Sequence, residues 1–295
     1  MSDKPAFFTK GVRSMLLSTL AFFAANVCVK QVAHIPAMET VFFRCIVATA
    51  ICVYGLRRAK GSLIGSNHTM LLLRGMFGTT ALFCFFLTLQ QMPLASAQTI
   101  QYVSPIFTAT IAIFVLKEKV MPTQWFFYAI AFGGVLLIER FDSRISPFYL
   151  ALGIISAFCS GMAYNLVRSL RGKEHPLTVV LHFQLVGAVV GFVSLFFQWE
   201  TPQGWDWLYL LLVGLFSQIG KIFLTNALQR ERIAGVAIIN YTGLIYALTV
   251  GWFVFGEPQS IISLAGMLLV VIGVLLSVMY GRRQQQIAPI EATAG

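Results

Sequence analysis

TLQQMPLASAQTIQYVSPIF at residues 88–107 and ALQRERIAGVAIINYTGLIY at residues 227–246 lie 139 positions apart and read alike. Leu89 meets Leu228, Gln90 meets Gln229 and Tyr102 meets Tyr241, and the same shift carries Phe114 onto Phe253, Glu118 onto Glu257 and Gly134 onto Gly273. An apolar alphabet supplies some identities by chance, but a glutamate at the same point after both segments is harder to obtain that way. The spacing predicts two similar halves.

Hydropathy says what the halves are made of. Of 295 residues, 58% are hydrophobic and 11% charged, with a mean hydropathy of +0.79; a soluble domain carries about a quarter charged residues. Apolar runs fall at 13–33, 38–56, 71–91, 95–116, 121–139, 147–168, 177–198, 207–229, 234–255 and 260–280, each near the ~20 residues a helix needs to cross ~30 Å of hydrocarbon. Lipid offers the backbone no partners, so each span must pair its own polar groups, as a helix does; a barrel's strands would alternate polar and apolar residues. The expected fold is all-α and integral to the membrane, with ten transmembrane helices. Five helices per half is an odd number, so the second half enters the bilayer in the opposite sense, and the two become inverted five-helix repeats. The first repeat is set at 13–140 and the second at 145–281, with tails at 1–12 and 282–295.

The net charge of +10 sits in short clusters between apolar runs, without the continuous stripe a nucleic-acid partner needs. With the N-terminus in the cytoplasm, sixteen basic residues, among them Lys4, Arg57, Arg58, Arg74, Arg168, Lys173, Arg232 and Arg282, fall inside or at that boundary. The outer loops keep Arg140 and Arg144, while Lys30, Arg44 and Lys221 lie within spans. By the positive-inside rule both termini are expected in the cytoplasm. The first span lacks a small-residue cleavage site, so no removable signal peptide is expected. Cys28, Cys45, Cys52, Cys84 and Cys159 all fall in apolar segments, without CxxC spacing, and are expected to pack as small hydrophobes.

These features resemble the drug/metabolite transporter superfamily, in particular its ten-helix EamA-type members, including S-adenosylmethionine uptake and amino-acid export carriers. The resemblance runs over residues 10–281 and is carried by ETVFFRC at 39–45, LRG at 73–75, YVSPIFT at 102–108, LKEK at 116–119 and GEP at 256–258. It implies a carrier of the bacterial inner membrane with a central cavity between the halves, and leaves the substrate open.

Polar residues inside spans are where a carrier's function is sought. Lys221 is too deep in the eighth span to snorkel, and is expected to line the substrate path or to bond carbonyls, Gln218 or Asn226. Arg44 is expected to snorkel outward, to pair with Glu39, or to meet substrate; an arginine there recurs in the resembled family. Lys30 is assigned a structural role. His182 either bonds a backbone carbonyl or senses protons. Gln98, Gln101 and Tyr102 in the fourth span match Asn240 and Tyr241 in the ninth, and Pro105 one turn on bends the helix and serves as a hinge. Asn26, Tyr164 and Asn165 are weaker candidates of the same kind. The alternative for all of these is interhelical hydrogen bonding. Glu118 and Glu257 are expected to cap or bridge at the surface, and Gly75, Gly78, Gly187 and Gly191 to bring helices close.

All eleven acids fall in loops, tails or helix ends, so the interior is electropositive and a carboxylate or phosphate on the substrate would neutralise it. HExxH, GxSxG and P-loop motifs are missing, so neither catalysis, metal nor cofactor is expected. The function expected is secondary transport of a small anionic or zwitterionic metabolite by alternating access, with helices one, three, four, six, eight and nine lining the site. Broad drug or metabolite efflux is the alternative, and a membrane enzyme or partner subunit a weaker one. Expected partners are the solute, membrane lipids and either a coupling proton or a counter-substrate, with the chain a monomer or weak dimer and no nucleic acid involved.

Overall fold

The computed structural model describes residues 10–115, 122–230 and 239–291, and its regular structure there is entirely helical. LKEK with Glu118, Arg232, the side chain of Asn226 and residues 1–9 lie outside what is described. The helices are α1 (Lys10–Gln31), α2 (Ala37–Arg58), α3 (His68–Gln91), α4 (Leu94–Gln101), α5 (Ser104–Val115), α6 (Pro122–Phe141), α7 (Pro147–Ser169), α8 (Pro176–Leu195), α9 (Asp206–Arg230), α10 (Thr242–Phe253) and α11 (Ile261–Glu291).

Among the described residues, eight stretches are long and apolar enough to cross a membrane: α1, α2, α3, α4 with α5, α7, α8, α9 and α11. The α10 helix, at 12 residues, is shorter, and α6 lies along α11. Large apolar side chains face outward, including Phe197 at 82% and Ile261 at 85% exposure. A belt of such residues is costly in water and comfortable in lipid.

Helix boundaries follow local chemistry. Pro147 and Pro176 occupy first turns, where a missing N–H costs nothing, and the Ser146 hydroxyl and His175 Nδ1 each accept an N–H two residues on. Pro93 forces Met92 to be extended, which ends α3. The fourth span breaks at Tyr102 and Val103, just ahead of Pro105, whose ring removes the N–H that would bond the Gln101 carbonyl. A second break falls at Tyr241, before α10.

Packing pairs α1 with α9, α3 with α7, α2 with α8, α6 with α11 and α4 with α10, and α8 and α9 also touch α3 and α2 respectively. Glycines set the closest crossings. A Cβ on Gly134 would stand 2.6 Å from the Gly266 carbonyl oxygen and 2.9 Å from Val270 N, and one on Gly273 would stand 2.7 Å from the Phe127 carbonyl oxygen and 2.8 Å from Ala131 N. Gly75 likewise abuts Val186 and Gly214 abuts Val47, while Gly187 faces Cys45 and Gly191 faces Phe42. Backbones this close gain dispersion and give α-carbon hydrogens carbonyl partners, which holds helices together where no hydrophobic force does. All five cysteines are buried and free.

Candidate functional site

Three basic side chains from three helices converge on one aromatic ring. Around Phe183 of α8 stand the Arg74 guanidinium of α3 at 4.5 Å from the ring centroid, Lys221 Nζ of α9 at 5.1 Å and the Arg44 guanidinium of α2 at 5.7 Å. A desolvated cation over a ring gains roughly 2 kcal/mol. Mutual repulsion, at roughly 10 Å and an effective dielectric of about 20, is on the order of 1–2 kcal/mol per pair. The ring therefore moderates the crowding without neutralising any charge.

Arg44 is 5% exposed and held in place. Its Nε donates to the Ser217 hydroxyl at 3.1 Å, and its Nη1 to Gln184 Oε1 at 3.5 Å. The two expected structural roles of Arg44 are thus corrected: its side chain turns inward rather than snorkelling, and Glu39 is engaged elsewhere, accepting the Glu200 N–H at 3.1 Å. Lys221 turns inward too, with Nζ shielded from solvent, while Gln218 gives its amide to Cys52 Sγ at 3.2 Å.

Arg74 corrects another expectation. Counted by position among the boundary cations, it lies against Phe183 because Gly78, one turn on, leaves the space: a Cβ there would meet Arg74 Nη1 and stand 2.8 Å from the ring. Its Nε and Nη1 are buried without a hydrogen-bond partner among the described residues, as are Thr79 Oγ1 and Gln184 Nε2 nearby. Ion pairs elsewhere among the described residues include Lys30–Glu257, His34–Asp206 and Arg144–Asp142.

A second group forms around the broken helices. Asn26 donates to Gln98 Oε1 at 2.8 Å, Gln101 Nε2 donates to Ser160 Oγ at 2.9 Å, and Gln101 Oε1 accepts from Ser156 at 3.1 Å. The Tyr102 hydroxyl donates to the Asn240 carbonyl at 3.1 Å, where the turn before α10 exposes it, and the Tyr102 and Tyr241 rings meet edge to face at 4.7 Å. Asn165 bonds the Thr108 and Gly161 carbonyls.

Two candidates stand apart. His182 sits beside Phe183 in sequence, but its Nδ1 lies 3.0 Å from the Thr178 carbonyl on its own helix. Tyr164 is 55% exposed on α7. Sequence reasoning passed over Phe183, Arg74, Gln184 and Ser217. A signal was available: Phe183 lies 139 residues after Arg44, and Gln184 139 after Cys45, and these mates touch, Cys45 donating to Gln184 Oε1 at 3.4 Å. The ring's helix, α8, is the seventh span and Arg44's helix, α2, the second, and neither span was among those expected to line the site.

A cleft of about 380 Å³ opens at the α1–α2 turn, lined by His34, Pro36, Phe83, Leu87, Gln90 and Gln198 among others. Phe83 and Leu87 continue the α3 face that carries Thr79 one turn deeper, beside Cys45 and Gly187.

Comparison with known proteins agrees with this architecture. Residues 9–140 and 147–279 both match the EamA-like transporter family. The chain is 28% identical to the pseudopaline exporter CntI of Pseudomonas aeruginosa over 89% of its own length and 93% of the exporter's. It is 29% identical to human solute carrier family 35 member G1, over 88% and 76% of the two chains. The S-adenosylmethionine uptake transporter of Rickettsia felis is 24% identical over 92% and 93%. One crystal structure, 17% identical, shares the fold across 91% of this chain and 98% of its own, with a TM-score of 0.58. This is a multi-pass membrane protein, and it belongs to the EamA-like transporter family.

Proposed function

We propose that the chain is a secondary carrier of the bacterial inner membrane that moves a small anionic or zwitterionic metabolite by alternating access, the solute binding beside Phe183. The observation that carries this is the convergence of Arg44, Arg74 and Lys221 on one buried ring. Intramembrane cations are expensive, and a solute that neutralises them recovers part of that cost. Relatives whose names denote export of pseudopaline or uptake of S-adenosylmethionine support a metabolite cargo.

Ten spans in two inverted repeats give this site its setting. Exchanging the halves maps the α3–α7 contact onto α9–α1, α5–α7 onto α10–α1 and α3–α8 onto α9–α2, and leaves α2–α8 and α6–α11 in place. The shift of 139 likewise turns the Gly134 contacts with Gly266 and Val270 into those of Gly273 with Phe127 and Ala131, and Gly75–Val186 into Gly214–Val47. Both broken helices break at a matched tyrosine, and half-helices of this kind supply polar ends inside a bilayer. Arg57, Arg58, Lys60, Arg171 and Lys173 gather at the end opposite the α1–α2 turn, which supports cytoplasmic termini.

Purified protein in proteoliposomes, offered a defined mixture of amino and organic acids read by mass spectrometry, tests the proposal. Uptake should fall at least tenfold in Lys221→Ala and Arg44→Gln while thermal unfolding is little changed. Full uptake by Lys221→Ala would reject the site.

A further inference from the structure

We infer that Arg74, Thr79 and Gln184 form the subsite that holds an oxyanion of the solute, a carboxylate or a phosphate, and that Arg74 recognises it by paired hydrogen bonds; this rests on the transport activity proposed above. The first ground is the hydrogen-bond inventory. Arg74 Nε and Nη1, Gln184 Nε2 and the Thr79 hydroxyl are shielded from solvent without a hydrogen-bond partner among the described residues, and Thr79 and Gln184 are 3% and 0% exposed. The Gln184 amide is oriented, because its Oε1 accepts from Arg44 Nη1, which can only donate, and from Cys45 Sγ; the amide nitrogen is what remains. All four atoms can donate, so they call for a ligand that brings acceptor oxygens. An oxyanion brings several on one centre, and a guanidinium presents its N–H groups side by side to hold two of them with parallel bonds.

The second ground is placement. Arg74 lies over the Phe183 ring, and Gln184 is the next residue along α8. Thr79 follows Gly78, the glycine that makes room for the Arg74 guanidinium, and a Cβ on Gly187 would stand 2.6 Å from Cys45 Sγ and 3.4 Å from Thr79 Oγ1. The threonine hydroxyl therefore sits beside the thiol that holds Gln184. The third ground is that the scaffold repeats and this donor set does not. A shift of 139 carries Arg74 onto Val213 and Thr79 onto Gln218, and brings Gln184 back to Cys45. The glycine contacts that pack the halves recur in both, whereas the donors occur once, as an oriented seat for one end of a solute requires. On the facing half Gln218 has an acceptor to spare, Oε1, so the two sides offer opposite hydrogen-bonding partners.

The test is competition against uptake from the same mixture in proteoliposomes at pH 7.5, with pairs of competitors that differ in the oxyanion: lactate against lactamide, and glycerol 3-phosphate against glycerol. At least one oxyanion should compete tenfold or more better than its neutral partner, and which one does so tells carboxylate from phosphate. Arg74→Lys keeps the charge but loses the paired geometry, and should raise the concentration of that competitor needed for half-inhibition at least fivefold. Thr79→Val, which keeps the shape and removes one donor, should raise it about two- to fivefold, read on whatever uptake remains. Uptake with equal competition within both pairs, with no competition by any of the four, or with both variants at the wild-type half-inhibitory concentration overturns the inference and leaves the transport proposal standing. Absence of uptake of every component rejects the transport proposal, and the subsite falls with it.

Discussion

Where α1 ends against the α10–α11 turn, one ion pair ties both halves together, and replacing Lys30 by methionine should cost roughly 2–4 kcal/mol of stability. Lys30 Nζ lies 2.5 Å from Glu257 Oε1, with side chains only 10% and 16% exposed. The lysine also donates to the Met92 carbonyl at 2.6 Å, and Glu257 Oε2 accepts the Leu94 N–H at 2.9 Å, capping α4. Removing one member of a buried pair costs about 3–5 kcal/mol because the other is left uncompensated. The surviving Leu94 bond to the carboxylate recovers part of this, hence the lower range. Glu257→Gln should cost less, since an amide oxygen still accepts from Leu94 and Lys30 keeps Met92 and the Phe255 ring at 5.4 Å. The double variant should then fall short of the sum by more than about 1 kcal/mol. Equilibrium unfolding in mixed micelles, followed by tryptophan fluorescence, measures all three. Strict additivity, within about 0.5 kcal/mol, would show that solvent already screens the pair. Because Lys30 and Glu257 lie on opposite halves, losing the pair should loosen their contact at this end, and the same variants should also expose a cysteine placed at Phe83, on the cleft wall, to faster labelling.

Matched glycines should fail alike: Gly134→Ala and Gly273→Ala, each pressing a methyl on backbone atoms, should each lose about 1–3 kcal/mol. The neighbouring Gly133→Ala, with open space around it, should be neutral or stabilising by about 0.5–1 kcal/mol in the same unfolding assay. Gly78→Ala should displace the Arg74 guanidinium from Phe183 and lower uptake several-fold in the proteoliposome assay. Outside the membrane, Glu174 is held down to about 2 by the Ser66 hydroxyl and by the Asn67 and Ser66 N–H groups. A depressed carboxylate contributes its stabilisation above its unfolded value near 4.5 and loses it as pH falls toward 2. Protection of the Ser66 and Asn67 amides against exchange, relative to the intrinsic rate at each pH, should therefore fall over that window, and Glu174→Gln should flatten the dependence.

Much of the fold was legible because membrane helices answer to simple physics. A run of about 20 apolar residues must pair its backbone internally, so α1, α2, α3, α7, α8 and α9 overlie the runs read from hydropathy to within a few residues. The break in the fourth span was foreshadowed by Pro105, which removes one N–H at a known offset. Its counterpart before α10 has no proline at the same place; Tyr241 is followed by Thr242 and Gly243, and the close approach of the Tyr102 hydroxyl, 2.7 Å from where a Gly243 Cβ would be, belongs to tertiary packing. A contact of that kind leaves a glycine in the sequence and nothing that says which partner it admits.

The site was legible in half, and the missing half has a physical cause. Lys221 and Arg44 stood out because depth along a helix follows from counting residues at 1.5 Å each. Arg74, seven residues into α3, counts as a boundary cation by the same arithmetic, yet a long side chain reaches several ångströms along the axis in whichever direction room exists. Room is decided by the neighbours: Gly78 clears the α3 surface and Phe183 offers a face with negative potential. Depth alone therefore undercounts the interior charge of a membrane protein whenever an arginine has a glycine one turn further in and an aromatic residue across the interface. With Arg74 left at the boundary, the interior holds two of these cations; with Arg74 on the ring it holds three about one aromatic face, which is the setting proposed for an anionic group of the solute.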